Sequence, residues 1–181
     1  MLKNQKAFTL IELLITLLVL AILASLAVPS FRVQMLNAKA KALEEDLAGR
    51  INQARYEAIK KSQRVSICAS SDGATCTGSW IDGYIVFEDG AASDGDTDVT
   101  VGTILRSYAK PDLKTVIDVK NDTTEVTFMR FTSMGTLARI ANSANPLVIN
   151  AYVTGCKGKN RRVLTIGVSG LVSIKREDCP A

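Results

Sequence analysis

Hydrophobic residues follow three rhythms along this chain. From Leu13 to Val28 they are nearly continuous and no charge interrupts them. From Leu36 onward the rhythm changes, and Leu36, Ala40, Leu43, Leu47, Ile51, Ala54 and Ala58 recur at spacings of three and four. That period predicts an amphipathic helix with a single apolar stripe. Its other face carries Lys39, Lys41, Glu44, Glu45, Asp46, Arg50, Arg55 and Lys60, and its end is expected near Lys61 or Ser62. Pro29 stands between the two segments. A proline inside a helix removes one backbone donor and kinks the helix. Strongly helical residues follow it, so the prediction is one long helix bent at Pro29.

Beyond Ser62 the segments are short, rich in β-branched residues and separated by Gly, Asp, Asn and Ser. Val65–Cys68, Tyr84–Phe87, Ile104–Tyr108, Val116–Val119, Val126–Phe131, Leu147–Val153, Arg162–Val168 and Leu171–Lys175 read as strands. Val168-Ser169-Gly170-Leu171 reads as a hairpin turn. A helix first and strands afterwards predict an α+β fold. The amphipathic half of the helix lays its stripe across antiparallel sheet, and the apolar half stays apart.

With 181 residues, the chain is long enough for one domain with a real core plus an N-terminal segment. Its formal net charge of +4 demands no polyanionic partner. The apolar run with its flanks, Phe8 to Phe31, is long enough for a membrane-spanning helix of ~20 residues. Lys3 and Lys6 precede it, which favours a cytoplasmic N-terminus. A secretory signal peptide with a small-x-small exit at Ser25-Leu26-Ala27 is the competing interpretation. Glu12 argues against it. A carboxylate in an apolar helix costs roughly 2.5–3.5 kcal/mol on insertion scales, and a disposable segment has no use for that penalty.

The run Ala7-Phe8-Thr9-Leu10-Ile11-Glu12-Leu13 resembles the class III signal of type IV pilins and type II secretion pseudopilins. The resemblance implies cleavage by a prepilin peptidase between Ala7 and Phe8, followed by methylation of the new Phe8 amine. The family usually has glycine where this chain has Ala7, the smallest replacement. Glu12 then becomes the assembly carboxylate, paired with the methylated amine of a neighbouring subunit. Physically, a buried carboxylate becomes tolerable once a cation neutralises it. Residues 1–7 are thus expected as a cleaved leader and 8–31 as the transmembrane and assembly helix. Residues 32–181 are expected as a periplasmic head that includes the amphipathic half of the helix. The implied location is the bacterial inner membrane, crossed once, and then a filament of pilins or pseudopilins joined through the N-terminal helices.

Ala54-Arg55-Tyr56-Glu57-Ala58-Ile59-Lys60-Lys61 and Trp80-Ile81-Asp82-Gly83-Tyr84-Ile85-Val86-Phe87 narrow the resemblance to the GspH/FimT/FimU group of minor pilins. Trp80 and Gly83 are expected to serve sheet packing and a tight turn, not chemistry. The implied periplasmic topology is oxidising, where disulfides persist. Four cysteines allow three connectivities. Cys68 with Cys76 and Cys156 with Cys179 are preferred, each worth ~2.5–3.5 kcal/mol by loop entropy. No cysteine spacing resembles a zinc site.

Two charged stretches invite chemistry. Glu88, Asp89, Asp94, Asp96 and Asp98 are interleaved with Gly90 and Gly95, a pattern that could supply oxygen ligands to calcium. The complete EF-hand spacing is absent, and a solvated acidic loop is the expectation. Lys157, Lys159, Arg161 and Arg162 follow Cys156, while Lys175 and Arg176 precede Cys179. A disulfide between those cysteines would gather six cations into a patch for weak, non-specific, salt-sensitive DNA binding. Some FimT-type proteins bind DNA through a Gly-Arg-x-Arg motif near the C-terminus, but the corresponding turn here reads Gly170-Leu171-Val172-Ser173. A solvated face is therefore preferred over a DNA site.

No histidine is present, which excludes Ser-His and Cys-His pairs and histidine-ligated metals. No phosphate loop is visible, and an enzyme is not expected. The functions in play are a minor pilin of a type IV pilus, a minor pseudopilin of a type II secretion system and a pilus-associated DNA receptor.

Overall fold

The computed structural model describes residues 8–111, 114–140 and 145–180, with the side chains of 26–30 excepted. Its first element is a helix of 52 residues, α1 (Leu10–Lys61). Thr9 caps it in extended backbone, its hydroxyl accepting the Glu12 N–H at 3.3 Å. The helix continues through position 29, so the proline is no stop. The kink expected at Pro29 falls among residues whose side chains lie outside the described ones. At the far end Ser62 turns left-handed with φ of 51°, and the N–H groups of Ser62 and Gln63 bond back to Ile59 and Ala58. These paired back-bonds close the last turn.

Strands follow: β1 (Val65–Ala69), β2 (Gly83–Asp89), β3 (Val101–Ala109), β4 (Thr115–Asn121), β5 (Thr124–Glu125), β6 (Phe128–Phe131), β7 (Leu147–Val153), β8 (Arg161–Ile166) and β9 (Val172–Glu177). All pairings are antiparallel. They form two sheets, ordered β3-β2-β1-β6 and β5-β4-β7-β8-β9, a division on which the hydrophobic pattern is silent. The reason lies in coverage. One narrow apolar stripe cannot cover the inner face of so many strands, but two smaller sheets can each turn an inner face toward it.

The stripe does this with small side chains. Ala40, Ala54 and Ala58 are fully buried, with Leu47 and Ile51 beside them. Leu36 and Leu43 are half-buried. The helix packs on β1 and β6 of the first sheet and on β7, β8 and β9 of the second. Ile67, Val86 and Met129 from the first sheet, and Ile117, Ile149 and Leu164 from the second, complete a single core. In β7, burial alternates strictly, as suits a sheet covered on one face. In β1 every residue is buried and in β2 nearly every one, so the middle of the first sheet is covered on both faces, whereas β3 at its edge is largely exposed. Cys68, Ile85 and Phe87 form the second, outer apolar layer.

Gly83 starts β2 with φ of 129°, and a Cβ there would stand 2.6 Å from the Tyr108 carbonyl oxygen. The glycine is required by close approach of β2 and β3. Trp80 is buried, and its indole N–H donates to the Val126 carbonyl at 2.8 Å. Both residues serve the fold.

The outer face of the first sheet also buries an ion pair. Arg130 Nε lies 2.8 Å from Asp89 Oδ2, and both side chains are fully inaccessible. Burial pushes the Asp89 carboxyl upward, but hydrogen bonds from Ser66, Thr100, Arg130 and Ala91 outweigh it and hold the group below its ordinary value. Because folding favours the ionised form, the stabilisation is complete above the ordinary aspartate range near ~3.9 and disappears as pH falls through the lowered value. Asp89→Ala should leave the Arg130 charge unpaired and cost about 3–5 kcal/mol. Denaturant unfolding of the full chain in detergent at neutral pH measures that loss. The difference from wild type should shrink on acidification below the ordinary aspartate range.

Candidate functional site

The apolar half of α1 is where the sequence concentrates its candidate chemistry. Glu12 sits in the first turn, a position where a carboxylate complements the positive end of the helix dipole. Its neighbours are bare: from Leu10 to Leu23 the large apolar side chains are 47–77% exposed. Glu12 is exposed too, and among the described residues its carboxylate has no ion-pair partner. Phe8, at 79% exposure, precedes the helix, and Ala7 lies outside the described residues. Among the described residues, no helix is long and apolar enough to cross a membrane.

The C-terminal cations do not assemble as the six-member patch expected from sequence. Arg162 is buried at 3% exposure beneath α1, with Nε 3.2 Å from Glu44 Oε2. That contact is close enough for an ion pair but is not aligned as a hydrogen bond. Arg162 precedes Val163 on β8, and alternation turns it toward the helix. Arg161 pairs with Glu177 at 2.5 Å, and Lys175 approaches the same carboxylate at 3.4 Å. Lys157, Lys159 and Arg176 remain exposed.

Disulfides join Cys68 to Cys76 and Cys156 to Cys179. The first ties β1 to a loop organised by Asp72. That carboxylate accepts the N–H groups of Ala74 and Thr75 and the Thr75 hydroxyl, which hold it well below the ordinary range. The second fastens the segment after β9 to the turn after β7, where Cys179 N–H also donates to the Gly158 carbonyl at 2.9 Å.

Two arrangements escaped sequence reasoning. Arg130 had no local signal, since it lies in an otherwise ordinary strand. The other joins helix and sheet: Arg50 stacks 3.7 Å over the Tyr108 ring and pairs with Asp46, and the Tyr84 hydroxyl donates to Asp46 at 3.4 Å. Burial and the Asp46 charge push the Tyr84 phenol well above its ordinary value. Only the helical spacing of Asp46 and Arg50 hinted at their pairing.

A family model described as type II transport protein GspH matches residues 45–171, and one described as a prokaryotic N-terminal methylation motif matches residues 2–28. This chain belongs to the GspH family. Among solved structures, the type IV minor pilin FimU of Pseudomonas aeruginosa is 21% identical with a TM-score of 0.56, over 81% of this chain and 96% of that one. The minor pseudopilin EpsH from the type 2 secretion system of Vibrio cholerae is 10% identical with a TM-score of 0.52, over 79% of this chain and 99% of that one. No curated protein matches. The GspH-family head thus has the type IV pilin-like fold, a long N-terminal helix packed on antiparallel sheets. The GspH match takes in the stripe from Leu47 to Ala58, Trp80, Gly83 and the Gly170 turn, and stops short of Cys179.

Arg162→Ala should destabilise this GspH-family head by about 3 kcal/mol, the low end for a broken buried pair, because Glu44 keeps some access to water. Lys157→Ala should stay within about 0.5 kcal/mol of wild type. Replacing Cys156 and Cys179 together by serine should cost about 2–4 kcal/mol under oxidising conditions and nothing under reducing ones. Denaturant midpoints of the full chain, with and without reductant, measure all three.

Proposed function

We propose that this chain is a minor pilin of FimU type, cleaved between Ala7 and Phe8 by a prepilin peptidase, methylated at Phe8, and assembled into a type IV pilus whose growth it helps prime. Before assembly it crosses the inner membrane once through residues 8–31, with the head periplasmic. The observation that carries this reading is Glu12, an ionisable side chain that has no ion-pair partner among the described residues and sits among exposed apolar side chains from Leu10 to Leu23. A positive, methylated terminus on an adjoining subunit would neutralise it, and other pilin helices would bury the leucines around it. The N-terminal methylation match supports the processing step.

The second reading is a minor pseudopilin of a type II secretion system. The description of the matched family favours it, and so does the likeness to EpsH. Both readings use the same helix and the same carboxylate, and differ in which subunits surround it. The disulfide-tied C-terminal end leans toward the pilus.

DNA binding keeps little support. Of the six cations proposed for it, Arg162 is buried, and Arg161 and Lys175 share Glu177. Lys157, Lys159 and Arg176 are too few for more than weak, salt-sensitive attraction to phosphate.

Glu12→Ala should leave the Ala7–Phe8 cleavage intact while lowering incorporation into sheared filaments. Mass spectrometry of the mature chain reads the first outcome and immunoblots of the filament fraction read the second. Normal incorporation of the variant would defeat the assembly role, and an unprocessed N-terminus in wild type would defeat the processing role. Affinity capture of the crosslinked chain separates the two readings, since the pilus reading expects type IV pilins and the other expects pseudopilins.

A further inference from the structure

The acidic loop between β2 and β3 suggested oxygen ligands waiting for calcium. In the structure one of those carboxylates, Asp89, and four backbone carbonyls of the loop converge instead on a cation that belongs to the chain. Arg130, on the outer face of β6, is fully buried, and its guanidinium points into the loop. Nε donates to Asp89 Oδ2 at 2.8 Å. Nη1 donates to the backbone carbonyls of Ser93, Asp94 and Asp96 at 3.4, 3.0 and 2.8 Å, and Nη2 to that of Asp98 at 2.7 Å.

Asp89 closes the arrangement. Its Oδ1 accepts the N–H groups of Ala91 and Thr100, each at 3.0 Å, so one carboxylate holds both ends of the loop. Its Oδ2 also accepts the Ser66 hydroxyl at 2.6 Å. The carboxylates of Asp94 and Asp96 have other partners. Asp96 caps Ser93 through its N–H and hydroxyl, and Asp94 pairs with Arg64. Among the described residues, no group of three or more acidic or cysteine side chains could hold a metal ion.

A calcium site needs six to eight oxygens at about 2.3–2.6 Å from one point. A guanidinium instead spreads its donors around a planar fork, which suits carbonyls arriving from several directions. We propose that Arg130 is the resident cation of loop 90–100: a covalently attached positive charge organises the loop carbonyls where other acidic loops use a dissociable metal. The loop therefore keeps its shape without divalent ions, and its carbonyl oxygens are not available to them. This inference is independent of whether the chain serves a pilus or a secretion system.

Hydrogen–deuterium exchange of the full chain in detergent micelles tests it, read by mass spectrometry on peptides covering 90–100. Wild type in EDTA and wild type in millimolar calcium chloride should exchange within about twofold of each other in this segment. Arg130→Gln should lose about tenfold or more of the protection there, while the β7–β8 amides keep theirs. Calcium that raises wild-type protection several-fold would overturn the proposal, and so would an Arg130→Gln loop that stays protected. Should Arg130→Gln not fold, the EDTA and calcium comparison on wild type decides alone.

Discussion

A single helix here has to satisfy two surroundings, and the rest of the structure is arranged around that constraint. The second half of α1 offers one stripe, and two sheets take it up with alanines at the closest contacts. The large apolar side chains of the first half, from Leu10 to Leu23, stand exposed among the described residues. Contiguous apolar surface of that extent marks a contact site rather than a free surface. The head is thus a finished domain carried on an unfinished helix. In the proposed assembly Glu12 would add direction to that incompleteness, because an apolar helix can be buried in many registers, whereas a carboxylate within it asks for one cation at one height.

The head manages its own charges differently. The middle of the first sheet is covered on both faces, on the inside by α1 and on the outside by loops. Loops that cover a sheet bring backbone polar groups with them, and these must find partners. Arg130 meets that demand for four carbonyls at once. The Glu44–Arg162 contact is a looser counterpart between helix and second sheet, with less complete hydrogen bonding. The two pairs show how a basic side chain in a strand can become part of the interior when a carboxylate from another element reaches it.

Much of this was legible because periodicity reports which face of an element is apolar. The stripe from Leu36 to Ala58 announced α1, and every expected strand from Val65 to Lys175 has a counterpart within a few residues. The methylation signal around Phe8 and Glu12 and the motif around Trp80 and Gly83 pointed to the family that the GspH match shows. Periodicity is silent on which strands pair, so the division into two sheets was missed. It also cannot distinguish a surface cation from a buried one whose partner lies far along the chain. Arg162 read as part of a basic patch because Glu44 read as part of a solvated helix face. Arg130 was passed over for the same reason, since its carbonyl partners belong to another part of the chain.

The way α1 lies along both sheets has a mechanical meaning. A pull directed down the helix axis loads the contacts of Leu47, Ile51, Ala54 and Ala58 together, in shear, and spreads the force into both sheets. Peeling, which would break such contacts one by one, requires a sideways force on the helix end. The Ser62 cap anchors that end through back-bonds to Ala58 and Ile59 before the chain enters β1. A domain carried this way is suited to hold its grip while tension runs lengthwise through the rod it sits on.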